Sequence, residues 1–393
     1  MIESAARARE PSPLPAGAAL SASRVEVFAD LKPVQARWLD LQARAPASPY
    51  QDVRFCEAWL ETVGRARRVA PFIVVVSDGA GAISALLPLG LKRRGPLGVA
   101  TFLGGKDSNL NLGLFAEPER WTAERVADVL SAAGKGRIDL YELLNQPVSW
   151  NNRANPLASF PHQPSPSAAY GGALPSQFDD WFDAHYGKDT RKKWRRKRRT
   201  LAELGEFSYV VADRPSLAAA ILDAFLAQRR ARAQDGVANA YESGEAIAFL
   251  RRLSGLDQPL FEPVLEWHAL KHGDVVAATF SALVAGDHLS GLATSFCRQG
   301  PIARTSPGEL LLHDVLAEAI LRGRTSFDLG IGEARYKEDV CEREEKLVDV
   351  FLPLSPLGRV AGVGLALKQR LKREIKSRPQ LHEFLRAFRR KPT

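Results

Sequence analysis

The alternation of apolar and polar residues predicts two halves that repeat one order of elements. In the first half, short runs with a period of two indicate strands, and a helical period separates them. Asp78-Gly79 supplies a turn between two of the strands. We expect strands over 25–29, 71–77, 82–91, 99–103, 110–115 and 138–144, and helices over 31–44, 51–63 and 119–133.

The second half repeats this order after a basic helix. Strands are predicted over 207–212, 264–270, 275–283, 288–294 and 326–329, with helices over 216–233, 242–256 and 308–322. The run VVVSDGAGAISALLP from Val74 also has the pattern of WHALKHGDVVAATFS from Trp267. The predicted fold class is therefore α/β (α+β), with an internal duplication that yields two tandem units, each a mixed sheet flanked by helices.

Domain boundaries follow from a proline-rich stretch in the middle of the chain. Residues 154–178 lack Asp, Glu, Lys and Arg and contain five prolines, which is typical of a connection. The predicted organisation is a flexible segment over 1–22, a first unit over 23–153, this connection, a second unit over 179–355 and a basic helical tail over 356–393.

The charged residues are unevenly distributed along the chain. The 393 residues carry a formal charge of +9, with 45% hydrophobic and 25% charged residues, which indicates a soluble globular protein. Residues 188–199 hold nine Lys/Arg and one acid, and 359–393 hold eleven Lys/Arg and two acids. The remaining residues, 34 basic and 42 acidic, are net acidic, which favours local anion sites over a surface coated with nucleic acid.

The cellular compartment is predicted from the spacing of the cysteines and from the first 20 residues. Cys56, Cys297 and Cys341 are widely separated and lack metal-ligand spacing, so we expect reduced thiols, no metal and a cytoplasmic protein. Residues 1–20 contain arginines and prolines where a signal peptide has its apolar core. The basic tail, with Leu365, Leu367, Leu371 and Ile375 on one side, is expected to dock on the second unit and to associate weakly with an anionic membrane surface.

The most informative stretch runs from Arg304 to Leu310. Ser306 suits an N-cap, Pro307 the first helical position, and Glu309 completes a capping box. A well-capped core helix explains all three but not Gly308, which costs about 1 kcal/mol relative to Ala within a helix. A helix start with glycine and a nearby arginine favours phosphate binding, so the predicted donor site comprises Arg304, Ser306, Pro307, Gly308, Glu309 and Leu310.

A family resemblance sharpens this prediction. TSPGELLLHDVLAEAILRGRTSFDLGIGEARYKEDV (305–340) resembles the CelD/BcsL group of GNAT acetyltransferases, which is related to the FemAB/FemX aminoacyltransferases with two tandem GNAT units. SPYQDVRFCEAWLETVG (from Ser48) and FLGGKDSNLNLGLF (from Phe102) also resemble it. The resemblance implies acetyl-CoA as co-substrate, although the usual Gln/Arg-x-x-Gly-x-Gly/Ala turn is missing, which leaves an aminoacyl-tRNA donor open.

Acyl transfer needs a base near the acceptor. Asp328 precedes Gly330 and Gly332 near the end of the last predicted strand, where it serves either as that base or as a turn cap. His268 and His288, placed in adjacent strands, either relay a proton or are structural. With no Ser-His-Asp set or cysteine nucleophile, direct transfer is predicted.

Other residues are candidates for the acceptor site. Lys337, beside Tyr336, is the preferred contact, because the FemAB resemblance implies a lysine at this motif position. Asp107 and Asn109 follow two glycines and either line a cleft between the units or form a polar turn. On the basic helix the candidates are Arg191 and Arg195, which contact an anionic partner or lie on a solvated face.

These observations predict a cytoplasmic acyl-CoA-dependent N- or O-acetyltransferase, peripheral to the inner face of the membrane, that acts on a sugar-containing or anionic acceptor. The resemblance implies envelope or exopolysaccharide biosynthesis. Two alternatives stay open: a FemAB-like transferase that takes its donor from charged tRNA, and a non-catalytic accessory protein that binds polysaccharide or membrane.

Overall fold

The first of two sheets contains eight strands. A computed structural model describes residues 23–79, 81–257 and 263–377. The strand order of this sheet is β1-β2-β3-β4-β6-β17-β9, with β5 paired to β3. These strands are β1 Arg24–Phe28, β2 Ala70–Ser77, β3 Ile83–Arg94, β4 Leu97–Phe102, β5 Leu114–Phe115, β6 Leu140–Pro147, β9 His162–Pro164 and β17 Leu347–Pro353, while β7 Ser149–Trp150 and β8 Arg153–Ala154 form a separate ribbon.

The second sheet contains seven strands in the order β11-β12-β13-β14-β15-β10-β16. Its strands are β10 Ala169–Ala173, β11 Phe207–Val211, β12 Leu265–His272, β13 Val275–Ala285, β14 His288–Phe296, β15 Ser326–Ile331 and β16 Arg343–Glu345. The helices are α1 Gln35–Arg44, α2 Val53–Trp59, α3 Ala123–Gly134, α4 Phe178–His185, α5 Lys188–Glu203, α6 Pro215–Gln234, α7 Gly244–Leu253, α8 Gly300–Ala303, α9 Pro307–Leu321, α10 Arg335–Val340 and α11 Pro356–Ser377.

The two sheets share one topology. In each, antiparallel neighbours lead up to a single parallel pair, β4–β6 in the first and β14–β15 in the second. A helix connects the strands of each parallel pair, α3 in one case and α8 with α9 in the other, as a parallel connection requires. The predicted duplication of a mixed sheet flanked by helices is confirmed.

The strands that complete the sheets are exchanged along the chain. β10, within the predicted connection, pairs with β15 of the second sheet. β17, within the range assigned to the second unit, pairs with β6 of the first sheet. The start of α11 then packs against that same sheet, because Gly358 lies directly against the Asp139 carbonyl. The tail therefore docks on the first unit, and the expected docking on the second unit is wrong.

A hydrophobic cluster joins the units. Trp38 and Phe55 from the first unit belong to the same buried cluster as Phe225, Phe249 and Trp267 from the second. The rings of Phe55 and Phe249 meet edge to face, with centroids 5.4 Å apart. Such a pair contributes about 0.5–1.5 kcal/mol beyond burial. The units are thus held in one orientation, which fixes the site between them.

Several predicted elements differ from the structure. Instead of a strand over 110–115, only β5 is extended, since the loop before it turns through Gly104 and Gly105 with φ of +90° and +52°. The helix predicted over 51–63 is α2 followed by a π-helical turn, Leu60–Gly64. The predicted segment 1–22 and the end of the tail lie outside the described residues.

Within the described ranges, no helix combines the length and apolar character needed to span a bilayer.

Candidate active site

Asp328 lies where the two parallel strands of the second sheet separate. β14 and β15 pair only from His288 to Ser290, after which each continues beside a different neighbour. The Asp328 carboxylate accepts hydrogen bonds from His288 Nε2 at 2.9 Å, from Ser290 Oγ at 2.5 Å and from the Gly330 N–H at 2.7 Å. Three donors hold this buried carboxylate in one orientation.

A chain of hydrogen bonds leads from Asp328 to the first unit. The hydroxyls of Ser290 and Tyr50 lie 3.2 Å apart, and Asn109 Nδ2 donates to the Tyr50 hydroxyl at 2.6 Å. Burial and the nearby Asp328 raise the pKa of Tyr50 well above its usual value. Tyr50 therefore stays a neutral phenol that can pass a proton between neighbours.

Gly330 allows the first unit to approach this closely. Its φ is +74°, and a Cβ there would lie 2.5 Å from Asn109 Nδ2. Asn109 thus occupies space that any other residue at position 330 would fill, so this loop of the first unit packs directly against the second unit.

Lys337 lies beside this network. It is 5% exposed, and its ammonium donates to the Gly330 carbonyl at 3.0 Å and the Ile331 carbonyl at 3.2 Å. Burial lowers the pKa of Lys337 to about 8, although nearby acidic groups that include Asp328 act to raise it. A lysine that loses its proton near neutral pH can act as an acid or base as well as a contact.

His268 is not part of the network, because its predicted adjacency to His288 is wrong. β13 lies between their strands, and His268 contacts Tyr209 Oη at 2.8 Å and the ring of Phe280. Burial lowers the pKa of His268, which favours the neutral ring. This histidine is a structural core residue, whereas His288 is held between Asp328 and the Ser326 hydroxyl, 2.9 Å from Nδ1.

A cavity of about 230 Å³ opens at the start of α9. Four of the predicted donor-binding residues, 306–309, line it, and Leu310 is buried beneath. Arg304 is exposed next to the lining residue Ala303. Tyr336 also lines the cavity, and since it precedes Lys337, α10 connects the cavity to the Asp328 network. The remaining lining residues are Phe280, Thr294, Phe296 and Leu312.

The local geometry at the start of α9 differs from the predicted capping box. Ser306 occupies the N-cap position but has φ of +57° and makes no capping hydrogen bond with its side chain. Its hydroxyl instead accepts a hydrogen bond from Lys197 Nζ at 2.6 Å, and Lys197 also lies 3.7 Å from Glu309. Gly308 lies against Phe296, whose ring would be 2.8 Å from an added Cβ. The close approach of another group therefore explains why position 308 is a glycine, but that group is the side chain of Phe296.

Lys197 was missed as a site residue. It lies on the face of α5 that carries Trp194 and Leu201, which a spacing of three and four residues would have indicated. The predicted contacts on this helix lie elsewhere: Arg191 pairs with Asp183, and Arg195 is exposed.

Asp107 is also held away from the network, since its carboxylate accepts a hydrogen bond from Trp59 Nε1 at 3.0 Å.

The sequence did not indicate Tyr50 or Ser290 as site residues, because a tyrosine in SPYQD and a serine in a strand are ordinary core residues. No group of three His, Cys, Asp or Glu side chains suited to a metal ion occurs among the described residues.

Comparisons with known proteins agree with this geometry. Residues 188–338, which include α5, the cavity and Lys337, match the acetyltransferase (GNAT) domain family. Among solved structures, FemX covers 84% of this chain and 98% of its own at 10% identity, with a TM-score of 0.59. A conserved protein of unknown function from Bacteroides thetaiotaomicron covers 84% and 100% at 11% identity, with a TM-score of 0.53.

A third structure, named as the C-terminal domain of a lysylphosphatidylglycerol synthetase from Agrobacterium fabrum, covers 87% of this chain and 97% of its own at 12% identity, with a TM-score of 0.51. No curated protein matches the sequence. At these identities the structures establish the fold alone. Residues 188–338 match the GNAT domain family, and the described chain has a two-unit fold similar to that of FemX.

Proposed function

We propose that the protein is an acyl-CoA-dependent N- or O-acetyltransferase of the CelD/BcsL type, acting on an envelope or exopolysaccharide-related acceptor. The observation that carries this proposal is the cavity at the start of α9, lined by 306–309 and Tyr336 within the GNAT domain. The Gly308 N–H forms no hydrogen bond in the described part of the chain. A free N–H at a helix start and the exposed Arg304 suit the phosphates of coenzyme A.

The proposed reaction is a direct transfer. An amine or hydroxyl of the acceptor attacks the thioester carbonyl, a new C–N or C–O bond forms, and the C–S bond breaks. The acceptor proton passes to the hydrogen-bonded groups around Asp328, and the released thiolate takes up a proton. Cys297 and Cys341 do not line the cavity, which supports transfer without an acyl-enzyme.

One observation favours aminoacyl-tRNA as a second candidate donor. α5 carries nine cations along its length, and its Lys197 contacts Ser306 at the cavity. A polyanion lying along α5 would therefore reach the donor site. Under this alternative, the transferred group is an aminoacyl ester, and the same network accepts the proton.

α11 supports attachment to an anionic membrane surface. Val360, Val363 and Leu367 are 74%, 59% and 58% exposed, and they follow one side of the helix with Leu371. The exposed cations Lys368 and Arg370 flank this stripe. An apolar stripe flanked by cations is typical of helices that lie in the interface of an anionic bilayer. We propose that this is where the protein meets its acceptor.

Thiol release from acetyl-CoA tests the proposed function. The parent protein is incubated with acetyl-CoA and a panel of amino sugars and polysaccharide precursors, and coenzyme A is measured. The expected result is release that depends on one acceptor class. Consumption of aminoacyl-tRNA with no coenzyme A release would replace the proposal by the second candidate. Inactivity with both donors would leave a non-catalytic accessory role.

A further inference from the structure

A second cavity, of about 320 Å³, lies in the first unit and is lined by five cations. They come from four separate parts of the chain, brought together by the first sheet, the 104–113 loop and α11. Glu142 is the carboxylate in the lining, and it pairs with one of the five at 2.8 Å. The cations are Arg67, Lys92, Arg94, Lys106 and Lys372.

Three of these cations have no carboxylate partner. Lys92, Lys106 and Lys372 form no ion pair within the described ranges. The other two are paired, Arg94 with Glu142 at 2.8 Å and Arg67 with Asp107 at 3.9 Å. Partial burial, followed by repulsion from Lys376, lowers the pKa of Lys372. Like charges gathered in a concave site repel one another, so an anion would stabilise their arrangement.

The floor of the cavity is polar and held in place. Asn111 donates through its backbone N–H to the Asn145 carbonyl at 3.0 Å, and its side chain donates to the Leu144 carbonyl at 3.0 Å. Asn145 has φ of +56°, a left-handed conformation that is costly outside glycine. The Asp349 carboxylate accepts its N–H at 3.0 Å and so holds this conformation. The floor is therefore formed before any ligand arrives.

We propose that this basic cavity binds a phosphate-bearing ligand of the diphosphate class, and that this ligand is not the acyl donor. A single carboxylate would neutralise only one of the three unpaired cations, whereas a diphosphate carries several charges and accepts hydrogen bonds from Lys and Arg in many directions. The donor cavity is lined by residues of the second unit, so the two sites are separate.

The 104–113 loop connects the basic cavity to the candidate active site. Asn111 lines the cavity, and Asn109, two residues earlier, touches Tyr50 in the Asp328 network. A molecule anchored by its diphosphate in this cavity is therefore placed on the same loop that reaches the network. Identifying that molecule as the acceptor rests on the proposed function, whereas the anion site itself does not.

Calorimetric titration with inorganic pyrophosphate tests the site. The parent is compared with Lys92→Gln/Lys106→Gln and with the control Lys32→Gln/Lys135→Gln, which removes equal charge from exposed positions. We expect the parent and control to bind and the cavity variant to bind at least about tenfold more weakly. No binding by the parent, or equal binding by both variants, would overturn the proposal.

Titration of the same three proteins with acetyl-CoA tests the separation of the two ligands. We expect the cavity variant to bind acetyl-CoA as the control does. A matching loss of acetyl-CoA binding would show that the cavity holds the donor, and would overturn the proposed second ligand. If acetyl-CoA binds none of them, the proposed function fails, while the pyrophosphate titration still decides the anion site.

Discussion

Three hydrogen-bond donors hold the Asp328 carboxylate in place at the centre of the site. A carboxylate oriented by a histidine, a hydroxyl and a backbone N–H does not need to rearrange when a proton arrives. Asp328→Asn is expected to lower the rate of acyl transfer by about 10²- to 10⁴-fold, because the amide cannot accept the proton. Acetyl-CoA affinity, measured by calorimetry, should be unchanged.

The control for that experiment is Asp274→Asn. Its carboxylate is exposed in the turn between β12 and β13 and lies outside the network, so its loss is expected to leave the transfer rate within about threefold. Transfer that survives Asp328→Asn at the parental rate would assign this carboxylate to structure alone.

The lowered pKa of Lys337 predicts how the free energy of unfolding depends on pH. Its pKa in the folded protein is about 8, below the value of about 10.4 in an unfolded chain. Between these values the unfolded state binds more protons, so stability rises with pH. Relative to Lys337→Met, the parent should gain about 2 kcal/mol in free energy of unfolding between pH 7.5 and 9.5.

Urea unfolding at several pH values measures this difference. A stability difference that stays flat or falls across that interval would mean that Lys337 keeps an ordinary pKa.

At the scale of elements, α11 packs so closely that two of its glycines predict opposite effects. A Cβ on Gly358 would lie 1.7 Å from the Asp139 carbonyl oxygen, whereas one on Gly364 meets nothing within 4 Å. Gly358→Ala should lower the free energy of unfolding by at least about 2 kcal/mol. Gly364→Ala should raise it by about 0.5–1 kcal/mol through helix propensity.

Thermal melts followed by circular dichroism compare the two variants. Equal effects of the two substitutions would show that α11 does not dock on the first sheet as described.

The exposed stripe of α11 predicts binding to lipid. Leu367→Asn/Leu371→Asn should reduce co-sedimentation with vesicles that contain anionic lipid, since each buried apolar side chain contributes about 1.5–3 kcal/mol to such binding. The matched control is Val275→Asn/Leu321→Asn, which also replaces two exposed apolar residues. Equal sedimentation of both variants, or binding that ignores lipid charge, would contradict attachment through α11.

Element types were predictable from the sequence where an apolar, β-branched run is bounded by turn residues, or where apolar residues recur at helical spacing. β2, β13 and α9 follow the predicted spans to within two residues. Alternation does not say which sheet a strand joins, so the exchange of β10 and β17 was not predictable. Tyr50 was missed for a related reason, because its partner Ser290 is distant in sequence.

In the molecule as a whole, the duplicated units are linked by exchanged strands and a shared core. The first sheet is completed by β17, near the end of the described chain, and a single hydrophobic cluster spans both units. The first sheet is thus incomplete without a strand from the range assigned to the second unit, and the two units share one buried core. The site between them, formed by Tyr50, Asn109 and Asp328, therefore depends on the fold of the entire described chain.

The proposed function requires the acyl donor to bind at the start of α9, and calorimetric titration with acetyl-CoA measures this binding without any acceptor. Ala303→Glu places a carboxylate in the cavity lining, and Leu321→Glu adds the same charge at the opposite end of α9, where the side chain is 80% exposed. We expect acetyl-CoA to bind the parent and Leu321→Glu but not Ala303→Glu. Absence of binding by the parent, or equal binding by both variants, would show that the donor does not bind there.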